Sequence, residues 1–355
     1  MDYHFSYRTK NGSVCLILSY KVGKKWRQKT RQGFKTQREA RQHQDELLEE
    51  VRKREGLTSD TRMRDMTLRQ FFDVYQRDKK GSLAYTTLIN YRATVRMLGD
   101  VADIPLRELT TADILGALLR PEVKTTTRQA KLRNISPILE HAVKVYKIMQ
   151  VNPARGISIR DDRTPKPLRA FTREELARLL QLLEDKPLCR MVAFLAANTG
   201  MRYGEIAGLP WAAVNWAEQT ISVYQQYTSI GPYEMGIGPC KTRNSNRTIP
   251  ASPGVLQALQ EWRQQQPLAI SGTVFPLDRM RTVHSQVNKV IRRHFPGRSI
   301  HALRHTFATL LLSETGDINL VAHILGDTVT TVSEVYVNYT ADIKERAAKA
   351  IAGLY

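Results

Sequence analysis

At 355 residues the chain exceeds what one hydrophobic core usually serves, so two or three domains are expected, and 42% hydrophobic content suffices to build their cores. The 54 Lys and Arg residues against 34 Asp and Glu give a net charge of +20, a surplus that points to a polyanionic partner, nucleic acid first. No apolar run approaches the roughly 20 residues of a spanning helix and no signal peptide is seen, so membrane partners are excluded and a soluble, cytoplasmic protein is expected. Cys15, Cys189 and Cys240 lie far apart in the sequence, against a disulfide framework or a cysteine zinc site.

The first segment reads as a small module. Asn11-Gly12 is a hairpin turn signal, Val14 to Tyr20 favours a strand, and a second turn falls near Gly23. One helix is expected from Thr36 to Gly56. Between Lys21 and Lys35 stand seven basic residues and no acid, with Trp26 and Phe34 among them. Of these, Lys24, Lys25, Arg27, Lys29 and Arg31 are candidate DNA contacts, because a β-ribbon can enter a groove. A solvated basic face is the blander reading.

A polar linker over 58–65 precedes a helical domain over 66–157, which opens on a Thr67/Gln70 capping box followed by Leu68, Phe71, Phe72 and Tyr75 at helical spacing. TTLINYRATVRML, TTADILGALL and TTTRQAKLRNISPILEHAVKVY continue it, carrying Arg92, Arg96, Lys124, Arg128 and Lys131 as candidate phosphate contacts. After Asn152-Pro153 comes a Pro-rich, charged connector over 158–168. A larger domain over 169–340 then opens on FTREEL, with Thr172 and Glu175 at capping-box spacing, and a tail over 341–355 follows.

Four stretches of this last domain hold polar residues with little structural use. In NTGMRYGEIAGLPW, Arg202 opposes the dipole of the helix it begins, which suggests a nearby anion, and Glu205 is spaced to hold its guanidinium. Lys241, in PCKTRNSNRTIP, lies on or near a hairpin from which an ammonium can reach a cleft. In HALRHTFATLLL, His301 and Arg304 share a helix face. His301 and His305 have zinc-protease spacing, but Ala302 stands where that motif needs Glu, so no metal is expected and His305 reads as a core histidine. LGDTVTTVSEVYVNY brings Tyr336 and Tyr339, either of which alone reads as packing. Arginines, lysine, histidine and tyrosine without a carboxylate cluster suit metal-free phosphoryl transfer.

TGMRYGEIAGLPWAAV, KTRNSNRTIP, HALRHTFATLLL and LGDTVTTVSEVY, in that order and spacing, resemble the tyrosine recombinases of the phage-integrase family. The resemblance implies a multidomain, mainly α protein with small β-sheets. Its parts would be an N-terminal α+β arm-site-binding module over 1–57, a helical core-binding domain and a mixed α/β, mostly helical, catalytic domain. It implies Tyr336 rather than Tyr339 as nucleophile, since Tyr336 has the family's spacing from Leu325-Gly326. Arg202, Lys241, His301 and Arg304 would be its catalytic partners, with Glu205 and His305 in support. The reaction implied passes through a 3′-phosphotyrosine and a Holliday junction with no cofactor, in a homo-tetramer on core and arm sites of double-stranded DNA. The tail would dock on a neighbouring protomer, and an excision factor would be a further partner. One position departs from the pattern. Asp327 stands where the family has His or Trp, and since an ionised carboxylate repels phosphate it is expected to turn away, or to orient a neighbouring donor or water. His323, one turn earlier, is either a substitute donor or a buried histidine. The alternatives are a non-catalytic DNA-binding protein on this fold and a type IB topoisomerase.

Overall fold

The computed structural model describes residues 2–10, 12–22, 25–54, 63, 65–160, 170–265, 272–336 and 352, with the side chains of 10, 22, 52–54, 243 and 334–336 excepted. The chain divides into two units, Met1–Asp162 and Arg163–Tyr355.

Strands β1 (Tyr3–Lys10), β2 (Ser13–Val22) and β3 (Lys25–Phe34) form an antiparallel meander. Gly12, at φ 74°, takes the left-handed conformation that the first turn requires. Because side chains alternate across a sheet, the cross-strand pairs Phe5↔Leu18 and Tyr7↔Leu16 share one face. That face packs with Leu47, Leu48 and Val51. The single helix expected here is two, α1 (Gln37–Gln42) and α2 (Gln44–Arg54). The break falls at His43, whose ring stacks on Phe34 at 5.2 Å while its Nδ1 meets Glu46 at 2.9 Å.

The second core of this unit is built by α3 (Leu68–Asp78), α4 (Tyr85–Met97), α5 (Thr111–Leu118) and α6 (Thr125–Lys144). Thr67 and Gln70 form the expected capping box, each side chain satisfying the other's backbone N–H. Phe71, Leu98, Ile114, Leu118, Ile135 and Ile138 fill the centre. Asp78 pins the end of α3 to α6, accepting from Tyr146 Oη at 2.7 Å and meeting His141 Nε2 at 2.7 Å.

The second unit begins with α7 (Arg173–Leu182), capped by the expected Thr172/Glu175 box, then α8 (Pro187–Thr199) and the short α9 (Tyr203–Ala207). Strands β4 (Val214–Asn215), β5 (Thr220–Val223) and β8 (Arg247–Pro250) form one antiparallel sheet, and β6 (Gln225–Gly231) with β7 (Glu234–Pro239) a separate hairpin. TISVYQQY, which reads as one strand, is thus divided at Tyr224: Ile221 pairs with Ile249 of β8, while Tyr227 pairs with Ile237 of β7. The hairpin leans on α9 through Gly208, where an added Cβ would lie 2.6 Å from the backbone nitrogen of Tyr227. Helices α10 (Pro253–Gln265), α11 (Leu277–His294), α12 (His301–Thr315), α13 (Ile318–Leu325) and α14 (Val329–Tyr336) complete the unit. Its main core gathers Val192, Leu195, Ile206, Phe275, Ile291 and Leu303.

Candidate active site

Helix α8 ends at Gly200, in the left-handed conformation at φ 65°, and the chain turns so that Arg202 becomes the N-cap of α9. Glu205, one turn on and only 2% exposed, accepts from the Arg202 backbone N–H at 2.9 Å and from its Nη1 at 2.8 Å. The same carboxylate accepts from Arg247 on β8, Nη2 at 2.9 Å and Nη1 at 3.2 Å. Arg247 also donates through Nε to Ile324 O at 2.7 Å, tying β8 to the end of α13. Burial pushes the Glu205 carboxyl up, but the hydrogen bonds and charges of Arg247 and Arg202 outweigh it and hold the group below the usual carboxylate range.

Arg304, on α12 and 3% exposed, donates Nη1 to Gly200 O at 2.7 Å and Nη2 to Leu325 O at 2.8 Å. Asp327, just past α13, bridges the two guanidiniums: Oδ2 accepts from Arg304 Nη2 at 2.6 Å and Oδ1 from Arg202 Nη2. Burial acts to raise the Asp327 carboxyl, and Arg304, Arg202 and Arg247 together bring it below the ordinary value instead. Of the two alternatives expected for Asp327, turning away or orienting a neighbouring donor, this geometry is the second, the donors being Arg202 and Arg304, whose charges attract the carboxylate.

His301 lies one turn before Arg304 with its ring 4.6 Å from that of His305. Burial, then the charges of Arg304 and Arg202, lower the His301 pKa, favouring the neutral imidazole that can accept a proton. His305, half-buried, falls to about 4 through burial, His301 and Arg304. Its folded value thus lies below its unfolded one, so between about pH 6.5 and 4 the unfolded chain binds the extra proton and stability falls as pH falls. His305→Gln should flatten that slope relative to wild type, read as the difference in melting temperature between pH 7 and pH 5. An unchanged slope would remove His305 as its source.

Lys241 is exposed and follows β7 in the loop leading to β8. That loop is anchored beside Arg202, since Ser245 Oγ lies 3.5 Å from Arg202 Nη1 and 2.9 Å from Thr242 Oγ1. His323 is exposed, which corrects the buried alternative. The backbone of Tyr336 lies on α14, while its side chain, Tyr339 and all of the tail but residue 352 lie outside the described residues. Arg247 is a site residue that the sequence reading missed. Period-two alternation held the signal, since Arg247 shares the inward face of β8 with Ile249.

The candidate DNA contacts divide. Lys29 pairs with Glu50 at 3.0 Å, and Arg31 with Glu46 at 2.9 Å and Glu50 at 3.4 Å, so both lie on the helix side of the sheet with their charge matched. Arg128 turns back to the Arg120 carbonyl at 2.6 Å, Arg92 meets Gln76 at 2.6 Å, and Lys131 is half-buried with its pKa lowered by desolvation. Lys25, Arg27, Arg96 and Lys124 are exposed, and Lys24 lies outside the described residues. No described helix is long and apolar enough to cross a membrane.

The model of the phage integrase family matches residues 169–345, and that of an arm DNA-binding domain matches residues 5–51. The tyrosine recombinase XerC of Xylella fastidiosa is 28% identical over 201 residues, 52% of this chain and 61% of that protein, so the chain spans less than two thirds of that relative's length. The Tn1549 transposon integrase, in a structure with a circular intermediate DNA, has a TM-score of 0.64 at 17% identity, covering 79% of this chain and 99% of its own. The lambda integrase tetramer bound to a Holliday junction has a TM-score of 0.56 at 19% identity, covering 92% and 93%. These two share the mainly helical fold with small antiparallel sheets that the sequence led us to expect. With its N-terminal sheet module and the Arg-Lys-His-Arg segments all inside the matched regions, the chain belongs to the phage integrase family, the tyrosine recombinases.

Proposed function

We propose that the chain is a cytoplasmic site-specific DNA recombinase, the integrase of a mobile element, which cuts and rejoins double-stranded DNA through a 3′-phosphotyrosine. The observation that carries this reading is the convergence of Arg202 and Arg304, from two different helices, on one two-oxygen anion, the Asp327 carboxylate. Two guanidiniums set that way fit the non-bridging oxygens of a phosphodiester. In the reaction, the Tyr336 Oη–P bond forms and the P–O5′ bond breaks. The phenolic proton passes to neutral His301, and Lys241 donates a proton to the leaving 5′ oxygen, an alkoxide being a poor leaving group. The phosphotyrosine keeps the energy of the broken bond, so rejoining to a second 5′-hydroxyl needs neither ATP nor metal.

Exposed Arg96 and Lys124 supply sequence-independent phosphate contacts, whereas Lys25 and Arg27, opposite Val22 and Tyr20, stand on the helix side of the sheet with Lys29 and Arg31. The face of the N-terminal sheet opposite Leu16 and Leu18 carries Ser6, Gln28 and Thr30, polar side chains suited to base edges of arm sites. By analogy with the lambda tetramer on a Holliday junction, four copies exchange strands pairwise through such a junction. In this reading the tail docks on a neighbour and an excision factor sets direction.

The test is covalent trapping in EDTA, on nicked DNA taken from both sides of the gene's own locus. A protein–DNA band surviving denaturation is expected. Tight, salt-sensitive binding with no such band would instead make the chain a non-catalytic DNA-binding protein.

A further inference from the structure

Resting on that reading, we propose that Asp327 is a built-in occupant of the phosphate seat, which closes the site to small oxyanions and yields only to a phosphodiester held by the rest of the protein. Each Asp327 oxygen takes one arginine, Oδ1 Arg202 and Oδ2 Arg304, so the carboxylate stands in for the two non-bridging oxygens of the scissile phosphate. The Nη1 group of each arginine is engaged elsewhere. Arg304 Nη1 is on Gly200 O, and Arg202 Nη1 is on Glu205 and Ser245. An incoming phosphate that takes the two Nη2 groups therefore meets them where Asp327 already sits.

The carboxylate can leave without moving its backbone. The Asp327 N–H is bonded to Ala322 O at 3.0 Å and the Gly326 N–H to His323 O at 3.1 Å. Gly326 itself is packed so closely that an added Cβ would lie 2.8 Å from Asn244 O and 2.9 Å from Arg247 Cδ. Departure is thus a rotation of one side chain, which at 23% exposure has solvent on one side. Free sulfate, phosphate or a nucleotide has only its own contacts with which to drive that rotation. A DNA duplex gripped by the N-terminal unit brings binding energy from remote contacts to the same step.

The test uses the full chain without DNA, comparing wild type, Asp327→Asn and Asp327→Glu. Melting temperature is followed as sodium sulfate is raised, against sodium chloride at matched ionic strength. Asp327→Asn should bind sulfate at least about tenfold more tightly than wild type, since a neutral amide cannot hold both guanidiniums. Asp327→Glu, which keeps the charge, should resemble wild type. Equal sulfate affinity in wild type and Asp327→Asn overturns the proposal. Should Asp327→Asn fail to fold, Asp327→Ser takes its place with the same expected contrast, and equal sulfate affinity again overturns the proposal. Covalent trapping judges the recombinase reading separately. A sulfate contrast without an adduct leaves Asp327 as occupant of an anion seat in a binding protein, whereas an adduct without the contrast leaves the enzyme and removes the occupant.

Discussion

Tyr336→Phe should abolish the covalent protein–DNA adduct, a loss of at least about a thousandfold, while leaving DNA affinity unchanged. Tyr339→Phe should cleave within a few-fold of wild type. The change removes one oxygen, the atom that would become bonded to phosphorus, and keeps the ring that either role, packing or attack, requires. Tyr336 lies on α14, the helix that begins two residues after Asp327, so the backbone carries it from the arginine pair in a single element. Denaturing gels of wild type and the two variants, on the same nicked DNA, check this. An adduct that survives Tyr336→Phe and vanishes with Tyr339→Phe would transfer the nucleophile to Tyr339.

Glu205→Gln should destabilise the second unit by about 3–5 kcal/mol, because it keeps the shape of the side chain and removes the charge that two arginines share. Arg247 is the more exposed to this loss in energetic terms: its side chain is 2% accessible, so water cannot replace the carboxylate. Arg202 would also lose the partner that fixes its backbone and its guanidinium. Urea unfolding measures the effect, and Glu50→Gln, which breaks solvent-facing pairs with Lys29 and Arg31, serves as the comparison and should change little. If the two substitutions proved equally mild, the buried Glu205–Arg247 pair would not be holding the site together.

The sequence made Arg202, Glu205, His301 and Arg304 legible because each pair lies within one helical turn, where spacing alone decides what can meet. Arg247 was hidden by distance. Its carboxylate partner lies 42 residues earlier, and an arginine in a strand reads by default as a solvated one. Distance misled in the opposite direction at Lys29 and Arg31. Nothing local warns that Glu46 and Glu50, 15 to 21 residues on, fold back to neutralise them. The capping boxes at Thr67 and Thr172 were readable because their partners are three residues away, whereas the division of TISVYQQY at Tyr224 depends on which strands arrive later to pair. The direction of Asp327 stayed open in the sequence, because the arginines it meets stand 125 and 23 residues earlier in the chain.

The carboxylate between Arg202 and Arg304 also bears on how ionic strength acts on this protein. A DNA phosphate neutralised by a basic residue releases the cation condensed on it, and the mixing entropy of those ions gives nucleic-acid binding its steep dependence on salt. Arg202 and Arg304 carry a counterion that is tethered to the chain. Exchanging it for a phosphate leaves the freed carboxylate beside that phosphate, so the pair neutralises less DNA charge than two unpaired arginines would and adds less to the salt slope. That slope counts mainly the peripheral lysines and arginines, and its value reports how the duplex is gripped more than how it is cut.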